Sequence, residues 1–336
     1  MERKTSRREF VQLAGLAATG LMAIRPLDAQ SVPASQTRSA ARTPARTMGA
    51  RFRELLLGTE PFPCPSAYDV PSARLVEMHG FRSIFLGSSS VNLGLLALPD
   101  QAVVTVSEII NWDSIIASNV DIPAVADVDD FGATPLNVYR FAKEAERRGI
   151  GAAAFDDRMP LNRATNYAAP GVQPKNRMID NIHAAADART DMVLIARCLA
   201  PTPNGSTDEL YDRAMAYAEA GADALWLDFR TPQDSLRVAG MIKKPLFVTV
   251  GSQNFPASVA AMKAAGIMCG DVGGFVNVAL GAVDKALAEM KADGLLTESA
   301  KASLSRESFA RLTQVEDLNA RARKYHLPTI GSAPER

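Results

Sequence analysis

From about Arg51 to Asp293, short runs of β-branched, aromatic and alanine residues alternate with longer stretches whose apolar positions recur every three or four residues. The short runs suit buried strands and the longer ones amphipathic helices, so the alternation predicts βα units and a parallel sheet. Strands are expected at Phe62–Ser66, Ser83–Gly87, Ala124–Val128, Ala152–Asp156, Met192–Arg197, Ala224–Asp228, Leu246–Val250 and Ile267–Asp271. Helices are expected at Pro71–His79, Val106–Ser118, Pro135–Arg148, Lys175–Ala188, Asp208–Ala220 and Pro256–Ala265. Several of these stop at a glycine just before the next strand (Gly80, Gly149, Gly221), as a left-handed C-cap requires. Eight such units predict a (β/α)8 TIM barrel over residues 49–293. A doubly wound sheet is the runner-up, but no Gly-rich phosphate loop follows the first strand. Residues 294–336 form a helical extension, with one or two helices within Glu298–His326 that pack on a neighbouring subunit or cap the barrel.

The first thirty residues break this pattern. Arg7-Arg8 before Phe10, then a short Ala/Gly-rich apolar run ending near Ala29, read as a twin-arginine signal peptide over residues 1–30. The run is too short for a comfortable membrane span, so no stable membrane anchor is expected and the mature chain is placed in the periplasm or outside the cell. Residues 31–48 are rich in Ser, Thr, Ala, Pro and Arg without periodicity, which describes a disordered linker. Thirty-seven basic residues balance 37 acidic ones, so no net field recruits nucleic acid. Cys64, Cys198 and Cys269 lack metal-ligand spacing and sit in or beside strands, where cysteine is usually a small buried residue.

In a barrel, chemistry gathers at the C-terminal ends of strands. Those ends carry Asp127-Val128-Asp129-Asp130, Asp156-Asp157, Arg197 and Asp228, with Asp100 in the loop after the second strand. Asp127 and Asp129 are two apart and point the same way on an extended chain. With Asp156 and Asp100 they make a set of oxygen ligands without histidine, which suits Mg²⁺ or, alternatively, Mn²⁺. Arg197 offers a planar fork to a substrate carboxylate. Any one strand-end aspartate is explained as a cap of the next helix, and Asp130 or Asp157 is open to that reading. His79, His183 and His326 read as structural or solvated, and Trp112 and Trp226 as core.

These residues also make the chain resemble the isocitrate lyase / phosphoenolpyruvate mutase superfamily over roughly Arg51 to Asp293. The resemblance rests on Tyr68-Asp69 with Ser72-Ala73-Arg74-Leu75, Leu98-Pro99-Asp100, Asp127-Val128-Asp129 with Phe131-Gly132, and Asp156-Asp157. It continues through Ala186-Asp187-Ala188-Arg189, Ile195-Ala196-Arg197 and Ala218-Glu219-Ala220-Gly221-Ala222-Asp223. It implies a Mg²⁺ site with Asp127 as direct ligand and Asp100, Asp129 and Asp156 acting largely through water. It also implies Arg197, with the loop Gly87-Ser88-Ser89, on the substrate carboxylate, Asp228 at the substrate, and a homo-oligomer, tetramer or dimer, that exchanges C-terminal helices. The chain resembles methylisocitrate lyases most, as an atypical member. Where those carry a Lys-Arg-Cys-Gly-His loop, this chain reads Arg158 to Tyr167 without cysteine, lysine or histidine, and Asp156 and Asp228 stand where glutamates are usual.

The expected activity is a Mg²⁺-dependent carbon–carbon lyase or decarboxylase acting on a 2-oxo or 2-hydroxy carboxylic acid through a stabilised enolate. Tyr167 or a metal-bound water would donate the proton, Arg163 would steady the departing carboxylate, and the loop Met159–Pro174 would cover the substrate. A metal-dependent hydrolase of an oxo-acid, phosphonate or phosphate substrate is one alternative. A non-catalytic oxo-acid binding protein is the other.

Overall fold

The computed structural model describes residues 46–100, 103–132, 134–159, 171–199, 207–227, 237–238, 240–250 and 258–331. The strands are β1 Phe62–Pro65, β2 Ile84–Leu86, β3 Ala124–Asp127, β4 Ala152–Asp156, β5 Val193–Cys198, β6 Ala224–Leu227, β7 Leu246–Thr249 and β8 Cys269–Val272. They pair in parallel in the order β1-β8-β7-β6-β5-β4-β3-β2. A single Ser66–Phe85 bridge, with Ala67 N–H donating to Phe85 O at 2.8 Å, nearly closes β1 onto β2. The expected barrel is therefore present, and the doubly wound alternative is excluded.

Each expected helix is found within three residues of its reading. These are α2 Val70–Met78, α4 Val106–Ala117, α5 Pro135–Arg147, α6 Lys175–Ala188, α7 Thr207–Glu219 and α8 Val259–Ala264. Gly80, Gly149 and Gly221 have φ of 80°, 91° and 113°, the left-handed turn that ends the helix before them. Further on lie α9 Phe275–Asp293, a 3₁₀ turn at Ser299–Ala302, α10 Arg306–Leu312 and α11 Val315–Lys324. The extension returns to the barrel, for Arg74 on α2 donates to the Leu312 carbonyl at 3.0 Å.

Two helices were not expected. α1, Met48–Leu56, begins inside the stretch read as linker, capped by Thr47 through Ala50 N–H. Its Phe52 is fully buried against Phe62 (centroids 6.1 Å apart), a contribution of about 1.5–3 kcal/mol. Arg53 pairs with Asp223 at 2.5 Å, which fastens this helix to the foot of β5 and β6, and Arg189 pairs with the same carboxyl. Burial opposes ionisation of Asp223, but Arg189 and Arg53 hold its carboxyl below the ordinary value. α3, Ser88–Leu96, hides because it lacks a polar and an apolar face.

The core has two layers. Residues such as Ile84, Ala126, Phe155 and Leu194 fill the space between sheet and helices. Alternating residues fill the barrel interior: Cys64, Phe85, Val125, Ala154, Ile195, Trp226, Phe247 and Cys269. All three cysteines are buried thiols outside any disulfide.

Candidate active site

Two residues further toward the strand ends, the same inward faces carry Ser66, Gly87, Asp127, Asp156, Arg197, Thr249 and Asp271. The floor beneath them is aromatic. Trp226 lies 5.5 Å from Phe85 and 5.0 Å from Phe247, and the Arg197 guanidinium stacks 3.9 Å from the Trp226 ring centroid. Trp226 is core, as its strand position implied, and it is also the platform that orients Arg197.

Arg197 Nη1 approaches Asp127 Oδ2 to 3.8 Å. Asp156 is buried beside them, accepts the Arg158 backbone N–H at 3.1 Å and lies 3.8 Å from Arg158 Nε. Burial pushes Asp156 up to about 7, with Arg158 and Arg197 opposing and Asp127 adding to the rise. The charge of Asp127 therefore opposes ionisation of Asp156, and a nearby cation favours it. Asp100 accepts from Asn92 Nδ2 at 3.2 Å at the edge of the mouth.

Several expectations need correcting. Asp129 does not continue the strand. β3 ends at Asp127, Asp129 turns into the left-handed region (φ 60°), and its N–H donates to Asp127 Oδ1 at 3.3 Å. Side-chain alternation stops there, and Asp129 instead buttresses Asp127 and accepts Asp156 N–H on its carbonyl at 2.7 Å. Among the described residues no three acidic, His or Cys side chains converge as metal ligands. Arginines intervene. The donor set still fits Mg²⁺, which takes one or two direct carboxylates and keeps most of its shell as water. Asp127 would hold such an ion, with Asp156 and Asp100 reaching it through water.

Gly87-Ser88-Ser89 is likewise not a free loop. Gly87 is the N-cap of α3, so Ser88 and Ser89 present the open N–H groups of a helix start, a suitable cradle for a carboxylate. Asp130 and Asp157 do not cap helices either. Asp130 accepts Gly132 N–H at 2.8 Å within its own turn, while Thr134 caps α5. Asp157 is locked by Tyr217 (2.8 Å), Arg213 (3.4 Å) and Leu199 N–H (2.9 Å). That lock ties the end of β4 to the end of β5 and so sets Asp156 against Arg197. The motif residues Asp69 and Ser72 prove to be a reciprocal helix cap. Arg163, Tyr167 and Asp228 lie outside the described residues. Of the loop expected over the substrate only its base is described, where Met159 N–H donates to Gly171 O at 3.1 Å. Ser66 and Asp271 were missed as site residues, although Asp271 ends the eighth expected strand.

The family model for phosphoenolpyruvate phosphomutase matches residues 52–291. The chain belongs to that family. Among family relatives, 2-methylisocitrate lyase of Aeropyrum pernix is 30% identical over 210 residues, covering 62% of this chain and 68% of the relative. Oxaloacetate decarboxylase of Pseudomonas putida (strain GB-1) is 34% identical over 210 residues, covering 60% and 71%. A solved phosphonopyruvate hydrolase in complex with oxalate and Mg²⁺ superposes with TM-score 0.74 at 26% identity, over 84% of this chain and all of that one.

Proposed function

We propose that the chain is a Mg²⁺-dependent carbon–carbon lyase or decarboxylase acting on a small 2-oxo or 2-hydroxy carboxylic acid. The observation that carries this reading is the juxtaposition of Asp127, Asp156 and Arg197 on the inner faces of β3, β4 and β5, over an aromatic floor. The cation would polarise the C2 oxygen and stabilise negative charge developing there. Arg197, oriented by Trp226, binds the substrate carboxylate, and the N–H groups of Ser88 and Ser89 hold the same end. The buried floor excludes water from beneath the reacting carbons. The activities named for the 2-methylisocitrate lyase and the oxaloacetate decarboxylase support this chemistry. The hydrolase reading is second, favoured by the similarity to phosphonopyruvate hydrolase.

Calorimetry with oxalate and Mg²⁺ tests the anchoring half without knowledge of the substrate. Arg197→Ala is expected to weaken oxalate by on the order of 2–5 kcal/mol, the cost of a lost charge-assisted pair. Absence of heat with the unaltered protein removes the oxo-acid reading. Pyruvate release from a panel of oxo and hydroxy acids separates lyase from hydrolase and from a mere binder.

We further propose a homo-oligomer built on the C-terminal helices. Val278, Val283 and Leu287 of α9 and Leu295 beyond it are 70%, 55%, 60% and 67% exposed, more apolar surface than a helix leaves to water without a partner. Residues 1–45 lie outside the described part, and the twin-arginine leader with a periplasmic destination stays a proposal. Its test is retention of an Arg7→Lys/Arg8→Lys precursor in the cytoplasm.

A further inference from the structure

One acidic side chain at the mouth has no part in the anchoring just described. On β8, Cys269 faces the barrel interior, and a Cβ on Gly270 would run into Val250 and Met262 on the helix side. Alternation therefore turns Asp271 inward again, at the rim. Its neighbours in register are Cys64 on β1 and Thr249 on β7. Ser66 Oγ donates to Asp271 Oδ1 at 3.0 Å, and Asp271 is 8% exposed. Among the described residues Oδ2 accepts no hydrogen bond. Asp127, Asp156 and Arg197 occupy β3 to β5 and the Ser88 and Ser89 N–H groups follow β2, whereas Asp271 stands on β8 with Ser66 just past the end of β1.

We propose that Asp271, held in place by Ser66, is the catalytic acid that protonates the carbon left negative when the substrate's carbon–carbon bond breaks. This rests on the lyase reading above. A substrate fixed at its carboxylate end by Arg197 and the Ser88 and Ser89 N–H groups extends its reacting carbon away from them, toward β8. With oxaloacetate as probe, the C3–C4 bond breaks, its electron pair becomes the C2–C3 enolate, and CO₂ departs. The O–H bond of Asp271 then breaks as the C3–H bond of pyruvate forms, and solvent returns a proton to the carboxylate. The charge environment agrees with the role. Burial pushes Asp271 up to about 7, opposed by the Ser66 hydroxyl, reinforced by Asp127 and opposed by Arg197. A group so placed is partly protonated at neutral pH, where proton transfer is most effective. Besides those two charges across the mouth, the groups packed around it are the Cys64 and Cys269 thiols and the Ser66 and Thr249 hydroxyls.

The experiment uses the full chain with Mg²⁺ and three probes: oxaloacetate for turnover, 3-methyloxaloacetate in D₂O for the face of protonation, and oxalate for anchoring. Asp271→Asn keeps the shape and is expected to lower pyruvate formation about 100-fold or more, the usual loss for a missing acid. Oxalate affinity should stay within about threefold of the unaltered protein by the same reasoning. The unaltered protein should give one enantiomer of 3-deuterio-2-oxobutanoate, and Asp271→Asn a racemate. Ser66→Ala keeps the acid but loosens it, so turnover should fall less and the same enantiomer should persist. Undiminished turnover, an unchanged enantiomer in Asp271→Asn, or a racemate from the unaltered protein overturns the proposal. So does a variant that loses oxalate along with turnover, since Asp271 would then organise the anchor. Failure of the unaltered protein to turn over either oxo acid sinks the lyase reading itself, and is thereby distinguished from failure of Asp271 alone.

Discussion

Asp113 sits inside α4, fully buried, and neither carboxylate oxygen has a hydrogen-bond partner among the described residues. Burial, reinforced by the nearby charge of Asp127, raises its carboxyl well above the ordinary value of 3.8. Replacing it by alanine removes an unsatisfied buried group, worth about 1–3 kcal/mol, and improves helix propensity by about 0.5 kcal/mol. Against this stands the small void left by a carboxyl group, on the order of 1 kcal/mol. The net expectation is stabilisation by about 1–2 kcal/mol at neutral pH. The sign of the pH dependence follows from linkage. The unfolded chain releases this proton above 3.8 while the native chain keeps it, so Asp113 lowers stability progressively as pH rises. Urea denaturation of the unaltered protein and of Asp113→Ala at pH 4.5 and 7 reads both effects, and the gain from alanine should be larger at pH 7. A variant less stable than its parent at pH 7, or an equal gain at both values, would falsify the account.

Further outcomes follow from the site and the lock beneath it. Mg²⁺ should raise the melting temperature of the unaltered protein and not that of Asp127→Ala, because only an ion bound to the native state stabilises it. Mg²⁺ affinity by calorimetry should rise with pH up to about 7 and then level off, since Asp156 must lose its proton before supporting a cation. An affinity independent of pH between 5.5 and 7 would exclude Asp156 from the site. Arg213→Leu leaves Asp157 buried without its cation and should cost about 3–5 kcal/mol by chemical denaturation. Gly49→Ala drives a Cβ into the Asp191 carbonyl, and overpacking of that kind costs about 1–3 kcal/mol, read in the same assay.

The strand ends mark the line between what sequence and tertiary structure decide. Alternation of apolar runs with helical periods is local, and it placed β4 at Ala152–Asp156 and α6 at Lys175–Ala188 without error. Strand-end position likewise singled out Asp127, Asp156 and Arg197, because a parallel barrel aims those ends at one mouth. Helix α1 escaped, since Phe52 becomes apolar core only where the barrel's foot exists to receive it. Helix α3 escaped because it has no amphipathic period to read. Asp129 was assigned the wrong direction because extended alternation assumes a strand, and the turn at φ 60° is fixed by the contact with β4. The Asp157–Tyr217–Arg213 lock and the Ser66–Asp271 pair join residues 56 to 205 positions apart, and no periodicity reports on such partners. Local composition determined which residues could carry chemistry. Closure of the barrel decided which of them face one another across its mouth, because strands far apart in sequence become neighbours only there.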